Sequence, residues 1–165
     1  VAPKREDLVI VEAHVRDLLA HAPLDLSPDE RLTFSGLTKW MRSDSCYLHH
    51  LGANAVELQP VLEPDAGTPE DYFWGYMPVN FFAPASHYSS RPEQASGIAE
   101  FRDLVTSFHE AGMAVILDVV YNHVGLPNHL ARIDKGLYFA MNAAEPLTGG
   151  TAQGAAKRRQ THRRV

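Results

Sequence analysis

One order of elements occurs twice in this chain and restricts its fold more than any other feature. Residues 36–61, GLTKWMRSDSCYLHHLGANAVELQPV, place Leu37, Trp40, Met41, Leu48 and Leu51 on one helical face, reach Gly52, and pass into the apolar strand AVEL. Residues 96–120, SGIAEFRDLVTSFHEAGMAVILDVV, do the same with Ile98, Phe101, Leu104, Val105 and Phe108. Ser96 is placed to cap that helix, Gly112 to close it, and the strand AVILDVV follows. The two glycines stand 60 positions apart. A third strand is predicted over LVIVEAHV, residues 8–15. Strands alternating with helices in this way run parallel, joined by helical crossovers. The fold class is therefore α/β, either an open doubly wound sheet or part of a barrel.

The connections add a polarity. The first strand leads to its helix through about 20 residues, and the second through a longer stretch, LEPDAGTPEDYFWGYMPVNFFAPASHYSSRPEQA. Both follow the C-terminal ends of strands, the face on which parallel α/β folds build their sites. The glycine turns at the other end are short. That asymmetry is expected of an enzyme built from long strand-to-helix loops.

Bulk properties exclude several classes. With 165 residues, 45% of them hydrophobic and 21% charged, the chain has the makings of a globular core. A net charge of −5 argues against nucleic-acid binding and against a membrane surface. No apolar run approaches the roughly 20 residues of a membrane span. One cysteine, Cys46, precludes an intrachain disulfide framework and fits a reducing, cytoplasmic setting. Beyond PLTGG the apolar periodicity stops, and residues 157–164 hold five Lys or Arg. Residues 146–165 therefore read as a disordered basic tail.

Two constellations could carry chemistry. YFWGYMPVNFF, residues 72–82, gathers six of the fifteen aromatic residues. It is either a small satellite core under a long loop or a stacking surface suited to sugar C–H faces, a nucleobase or a protein. The second is AVILDVVYNHVG. A carboxylate in a buried strand is costly unless paired, so Asp118 needs a cation or several donors. His14 and Arg16 on a neighbouring strand are candidates, and a structural anchor is as good a reading as a site residue. Alternation along an extended strand would put Asp118, Val120 and Asn122 on one face, with His123 where strand gives way to loop. His49 and His50 are read as mid-helix residues, one exposed and one half-buried. His109-Glu110 lacks the second histidine of a zinc-protease helix, and GGTAQG has no strand before it, so neither is a metal or nucleotide motif.

DVVYNH, with the upstream ANAVELQPV and WGYMPVNFFAP, resembles the α-amylase superfamily of glycoside hydrolases. Within it the likeness is to the debranching enzymes, namely isoamylase, glycogen debranching enzyme and pullulanase, over residues 8 to about 140. VEAHVRDL is similar to barrel strand 1 of that family, VELQPV to strand 2, and SFHEAGM precedes strand 3, at whose end DVVYNH falls. The resemblance implies a (β/α)8 barrel, of which residues 1–145 would supply strands 1–3 with their helices. It also implies retaining hydrolysis of α-1,6-glucosidic links in glycogen, starch or pullulan, with no cofactor. Tyr76 would stack on the sugar at the cleavage subsite and His123 would hydrogen-bond one of its hydroxyls. Asn122 would brace the loop, at a position that touches calcium in calcium-binding relatives, and Asp118 would support the site by pairing with an arginine on strand 4. Met77 stands where debranching relatives often carry Asp.

In that family the nucleophile, the general acid and a third carboxylate lie on strands 4, 5 and 7. After His123 only Asp134 and Glu145 are carboxylates here, and neither has a matching strand context. No catalytic residue is therefore expected in this chain, which reads as an N-terminal barrel fragment, inactive alone. A reading-frame shift near residue 150 would account for the abrupt change of composition. A branching enzyme or glucanotransferase shares these early motifs, and a non-catalytic glucan-binding module is the reading from another class. Three barrel strands alone would leave sheet edges and apolar faces open.

Overall fold

The structure, a computed structural model, describes residues 3–65 and 74–139. Tyr72, Phe73, Glu145, GGTAQG and the basic tail thus lie outside the described residues. The strands are β1 (Ile10–Ala13), β2 (Ala55–Leu58), β3 (Leu62–Pro64), β4 (Pro78–Pro84) and β5 (Ala114–Leu117). The helices are α1 (Val15–Ala20), α2 (Phe34–Met41), α3 (Gly97–Glu110) and α4 (His129–Tyr138). The chain divides into two compact units, Val1–Val61 with Pro84–Asp118, and Leu62–Ala83 with Val119–Val165.

The first unit is the α/β arrangement that the repeated order demands. Its sheet runs β1-β2-β5, all parallel, with Val11 beside Val56 and Val56 beside Val115. Gly52 and Gly112 take φ of +72° and +76°, the left-handed conformation that lets each apolar segment stop and turn into its strand. Leu19, Phe34, Leu37, Trp40, Leu48, Val56, Leu58, Leu104 and Phe108 are buried in one core. Each such side chain contributes about 1.5–3 kcal/mol by leaving water. The Phe34 ring meets Tyr88 at 5.3 Å and Phe101 at 5.2 Å.

Local polar chemistry moved several boundaries. The helix expected over residues 36–52 ends at Met41, and a 3-10 turn, Tyr47–His50, follows. Ser43 is the cause: its N–H and its hydroxyl both donate to Trp40 O, at 2.9 Å each, closing the chain into a turn. Leu51 is consequently exposed, and so are both His49 and His50. The first strand stops at Ala13 because His14 caps α1, its Nδ1 accepting from Arg16 N at 3.3 Å. The stretch read as a loop after it holds α1 and a 3-10 turn at Glu30–Leu32. Arg31 donates to the carbonyls of Leu19, Ala22 and Leu24 at 2.7–3.0 Å, which secures the end of α1. Ser96 does not cap α3. Its backbone is already helical and its hydroxyl donates to Glu100 at 2.6 Å. Ile98, expected on the buried face of α3, is exposed.

β5 differs most from expectation. It lies at the outer position of its sheet, is half-buried rather than buried, and ends at Leu117, which is 41% exposed. Asp118 therefore follows the strand instead of lying within it, and Val120 and Asn122 are not its strand-mates.

The second unit contains the two-stranded sheet β3-β4, placed within what the sequence presents as one long loop, and α4. α4 is interrupted at Asp134, whose φ of −156° is extended and whose Oδ1 accepts from Leu137 N at 3.0 Å. That carboxylate restarts the helix. No helix among the described residues is long and apolar enough to cross a membrane.

Candidate functional site

Tyr76, Asn122 and His123 all belong to the second unit, and a short hydrogen-bonded ladder brings two of their segments together. Four successive carbonyls, of residues 76 to 79, each meet a donor. Tyr76 O accepts from His123 Nε2. Met77 O accepts from Asp65 N at 3.0 Å, and Pro78 O from Gly125 N at 3.0 Å. Val79 O accepts from the Asn128 carboxamide at 3.2 Å, which also reaches Pro78 O at 3.4 Å. Residues 76–79 are thereby tied to residues 123–128 through the carbonyls of Tyr76, Pro78 and Val79, while that of Met77 is held by Asp65.

These bonds fix the state of the His123 ring. A carbonyl can only accept, so Nε2 carries the proton and donates to Tyr76 O. Nδ1 is then an acceptor, and Asn122 Nδ2 donates to it at 3.0 Å. Asn122 itself is exposed, while Tyr76 and His123 are half-buried. Both ring nitrogens of His123 are engaged, so a ligand hydroxyl would have to replace one of these partners or join it.

Gly125 is where the ladder is tightest. A Cβ there would lie 2.5 Å from Met77 O and 2.6 Å from Asp65 Cβ, so only glycine lets the two segments approach. Partial burial pushes the Asp65 carboxyl above its usual range, opposed by donation from Leu126 N and its own N–H and by the nearby His123. Nothing in the sequence pattern pointed to Asp65 or Gly125. Asn128 did leave a signal, an Asn immediately before a helix, and it is the N-cap of α4, accepting from Leu130 N at 3.0 Å.

Aromatic residues surround this segment in different states. Phe81 and Tyr121 stack at 5.7 Å with planes 27° apart. Trp74 and Phe82 are 65% and 87% exposed, so the described part of the aromatic run is not a closed satellite core, and Tyr121 is 68% exposed.

Asp118 belongs to the first unit. It is half-buried, and its N–H donates to Leu58 O at 3.0 Å, carrying the parallel pairing one residue past β5. His14 and Arg16 are not on the strand beside it, because β2 lies between β1 and β5 and both residues belong to the start of α1. The His14 ring donates from Nε2 to the Tyr88 hydroxyl at 2.9 Å. Among the described residues no group of three or more His, Cys, Asp or Glu is arranged to hold a metal.

No family model matches the chain. Comparison with curated and solved proteins does find relatives. A glycogen operon protein GlgX homologue of Mycobacterium tuberculosis is 41% identical over 131 residues, which cover 75% of this chain. Isoamylase 3, chloroplastic, of Oryza sativa is 42% identical over 71% of it, and pullulanase A of Streptococcus pneumoniae 34% over 84%. Among solved structures, the catalytic module of the glycogen-degrading pneumococcal virulence factor SpuA superposes on 97% of the chain with a TM-score of 0.74 at 33% identity. The chain belongs to the α-amylase superfamily, in its pullulanase and isoamylase branch. It spans 12–18% of the length of those curated relatives and 24% of the solved SpuA module. In this pullulanase-like segment the described residues are thus a parallel sheet with its helices and a second unit holding the Tyr76–His123 ladder.

Proposed function

We propose that this chain supplies the sugar-contacting part of an α-glucan debranching hydrolase, with β1, β2 and β5 as strands 1 to 3 of a (β/α)8 barrel and residues 1–145 as its first portion. In such an enzyme two carboxylates about 5 Å apart open the glucosidic bond with retention. Asp134 lies within α4, where its Oδ1 accepts from Leu137 N, and we assign it no place in such a pair. The chain's own contribution is binding. Tyr76 offers an aromatic face to a glucose ring, His123 a hydrogen bond to a hydroxyl, Asn122 the hold on the His123 ring, and Asp118 support at the end of strand 3. Glycogen, starch and pullulan are the substrates we assign, with no cofactor, and Cys46, buried and free, supports a cytoplasmic setting.

The observation that supports this best is the bond from His123 to the backbone of Tyr76. It joins two residues 47 positions apart that the family resemblance had assigned to the same sugar. Solved relatives carry maltotetraose and maltose, among them the pullulanase SAP and the type I pullulanase of Bacillus subtilis. The test is affinity electrophoresis through glycogen together with a reducing-end assay on pullulan. The expected result is retardation that Tyr76→Ala abolishes, and no release of reducing ends by the isolated chain. Absence of retardation removes the binding assignment, and turnover by pure protein removes the assignment of catalysis to other residues.

A further inference from the structure

We infer that Asn128 is a positioning residue for the sugar contacts of Tyr76 and His123, acting through the carbonyls of residues 76–79. The inference rests on the reading that those two residues meet an α-glucan. Asn128 is 3% exposed, and its carboxamide serves two segments at once. Oδ1 accepts from Leu130 N and so starts α4. Nδ2 donates to Pro78 O and Val79 O and so holds the start of β4. Proline has no N–H, so position 78 is anchored through its carbonyl, which Gly125 N also approaches.

The ladder is tightest at its middle rung. His123 stands at one end, Asn128 at the other, and Gly125 in the middle admits no side chain. Displacing the Asn128 end therefore moves the carbonyl that selects the protonated nitrogen of His123, and with it the backbone that presents Tyr76. Only a carboxamide fits both tasks. A carboxylate would still cap α4 but would set negative oxygen against two carbonyl oxygens.

The experiment compares wild type, Asn128→Asp and Gly125→Ala in the full chain. Proton–nitrogen NMR of the His123 ring reports which nitrogen is protonated, and titration with maltotetraose reports binding. Asn128→Asp keeps the helix cap, and Gly125→Ala keeps Asn128 while pushing the segments apart, so the two disturb the ladder by different routes. Both are expected to shift the hydrogen-bonded Nε2–H signal of the ring and to weaken binding about tenfold, the loss that ~1.4 kcal/mol brings. Ring signals unchanged in both variants overturn the inference, whatever the affinity does. A wild-type chain that shows the ring pattern but binds no maltotetraose overturns the glucan reading instead.

Discussion

The two units of this chain are held by different forces. In the first, twenty buried residues from strands and helices close one apolar core, and Leu19, Phe34, Leu37, Trp40, Leu58, Leu104 and Phe108 are fully enclosed. In the second, α4 has no buried residue, and Ile133, Leu137, Tyr121 and Phe82 are all more than 65% exposed. Among the described residues only a few apolar side chains, such as Val79, Val124 and Phe139, are buried there, and the carbonyls from 76 to 79 with their donors tie its segments together. A core of this kind resists opening in proportion to the apolar area it hides, whereas a ladder of hydrogen bonds adds only about 0.5–1.5 kcal/mol per bond. The amides of Val56 and Leu58 should accordingly exchange with solvent far more slowly than that of Gly125. The residues we propose to contact sugar thus sit on the part expected to open more readily, where binding loops are commonly found.

The strongest way to break this contrast is Phe34→Ala. The ring is fully enclosed between Tyr88 and Phe101, and its loss should cost about 3–5 kcal/mol through lost burial and the cavity left behind. Urea denaturation followed by the circular dichroism of the helices measures it. A cost under 1 kcal/mol would mean that the first unit does not depend on its core.

A second effect is set by pH. Burial, with Arg16 and His14 nearby, lowers the pKa of His87 from 6.5 to about 4. Its Nε2 is buried and finds no partner among the described residues. The unfolded chain takes up a proton near pH 6.5, while the folded chain does so only near pH 4. Folding thus gains from this group above pH 6.5, and the gain is lost as pH falls from 6.5 to 4. After discounting for its partial exposure, the loss is on the order of 2 kcal/mol. Thermal melts of wild type and His87→Phe between pH 7 and 4.5 should show a flatter slope for the variant. Equal slopes would assign the acid sensitivity elsewhere.

The same contrast explains what the sequence could tell. The apolar spacing of Leu104 and Phe108, of Leu37, Trp40 and Met41, and of the strand AVEL announced the first unit, because a core selects for period as well as for composition. The glycines at 52 and 112 marked its turns for the same reason. The boundary of α2 was lost to Ser43, whose side chain competes for a carbonyl in a way that periodicity ignores. β5 reads as fully buried from AVIL, since an apolar run records the surroundings a strand is suited to and not which neighbours it has. Tyr76 and His123 were singled out through family resemblance. The ladder joining them was not, because backbone carbonyls leave no mark in side-chain patterns, and Gly125 is silent until the close approach of Asp65 and Met77 is seen.

A smaller effect tests local capping within the first unit. Thr33 accepts from Gly36 N at 3.0 Å and donates to Glu30 O at 2.9 Å, which fixes the start of α2. Thr33→Ala should cost about 1 kcal/mol, read from the same denaturation curves, with Thr33→Ser recovering most of it. No recovery by serine would show that the methyl group, and not the hydroxyl, is what matters.

The smallest effect belongs to the second unit, and it sharpens the contrast from the other side. Leu137 is 71% exposed on α4, past the break at Asp134. Its N–H, not its side chain, is what Asp134 holds, so Leu137→Ala removes apolar surface that already faces water. Alanine is also the better helix former. The expected change in stability lies within about 0.5 kcal/mol, a tenth of the upper cost at Phe34. The comparison needs both variants in one buffer and one denaturant, so that the two slopes and midpoints can be set side by side. A loss at Leu137 approaching that at Phe34 would mean that α4 is covered in solution and that the second unit also owes its stability to a buried apolar face.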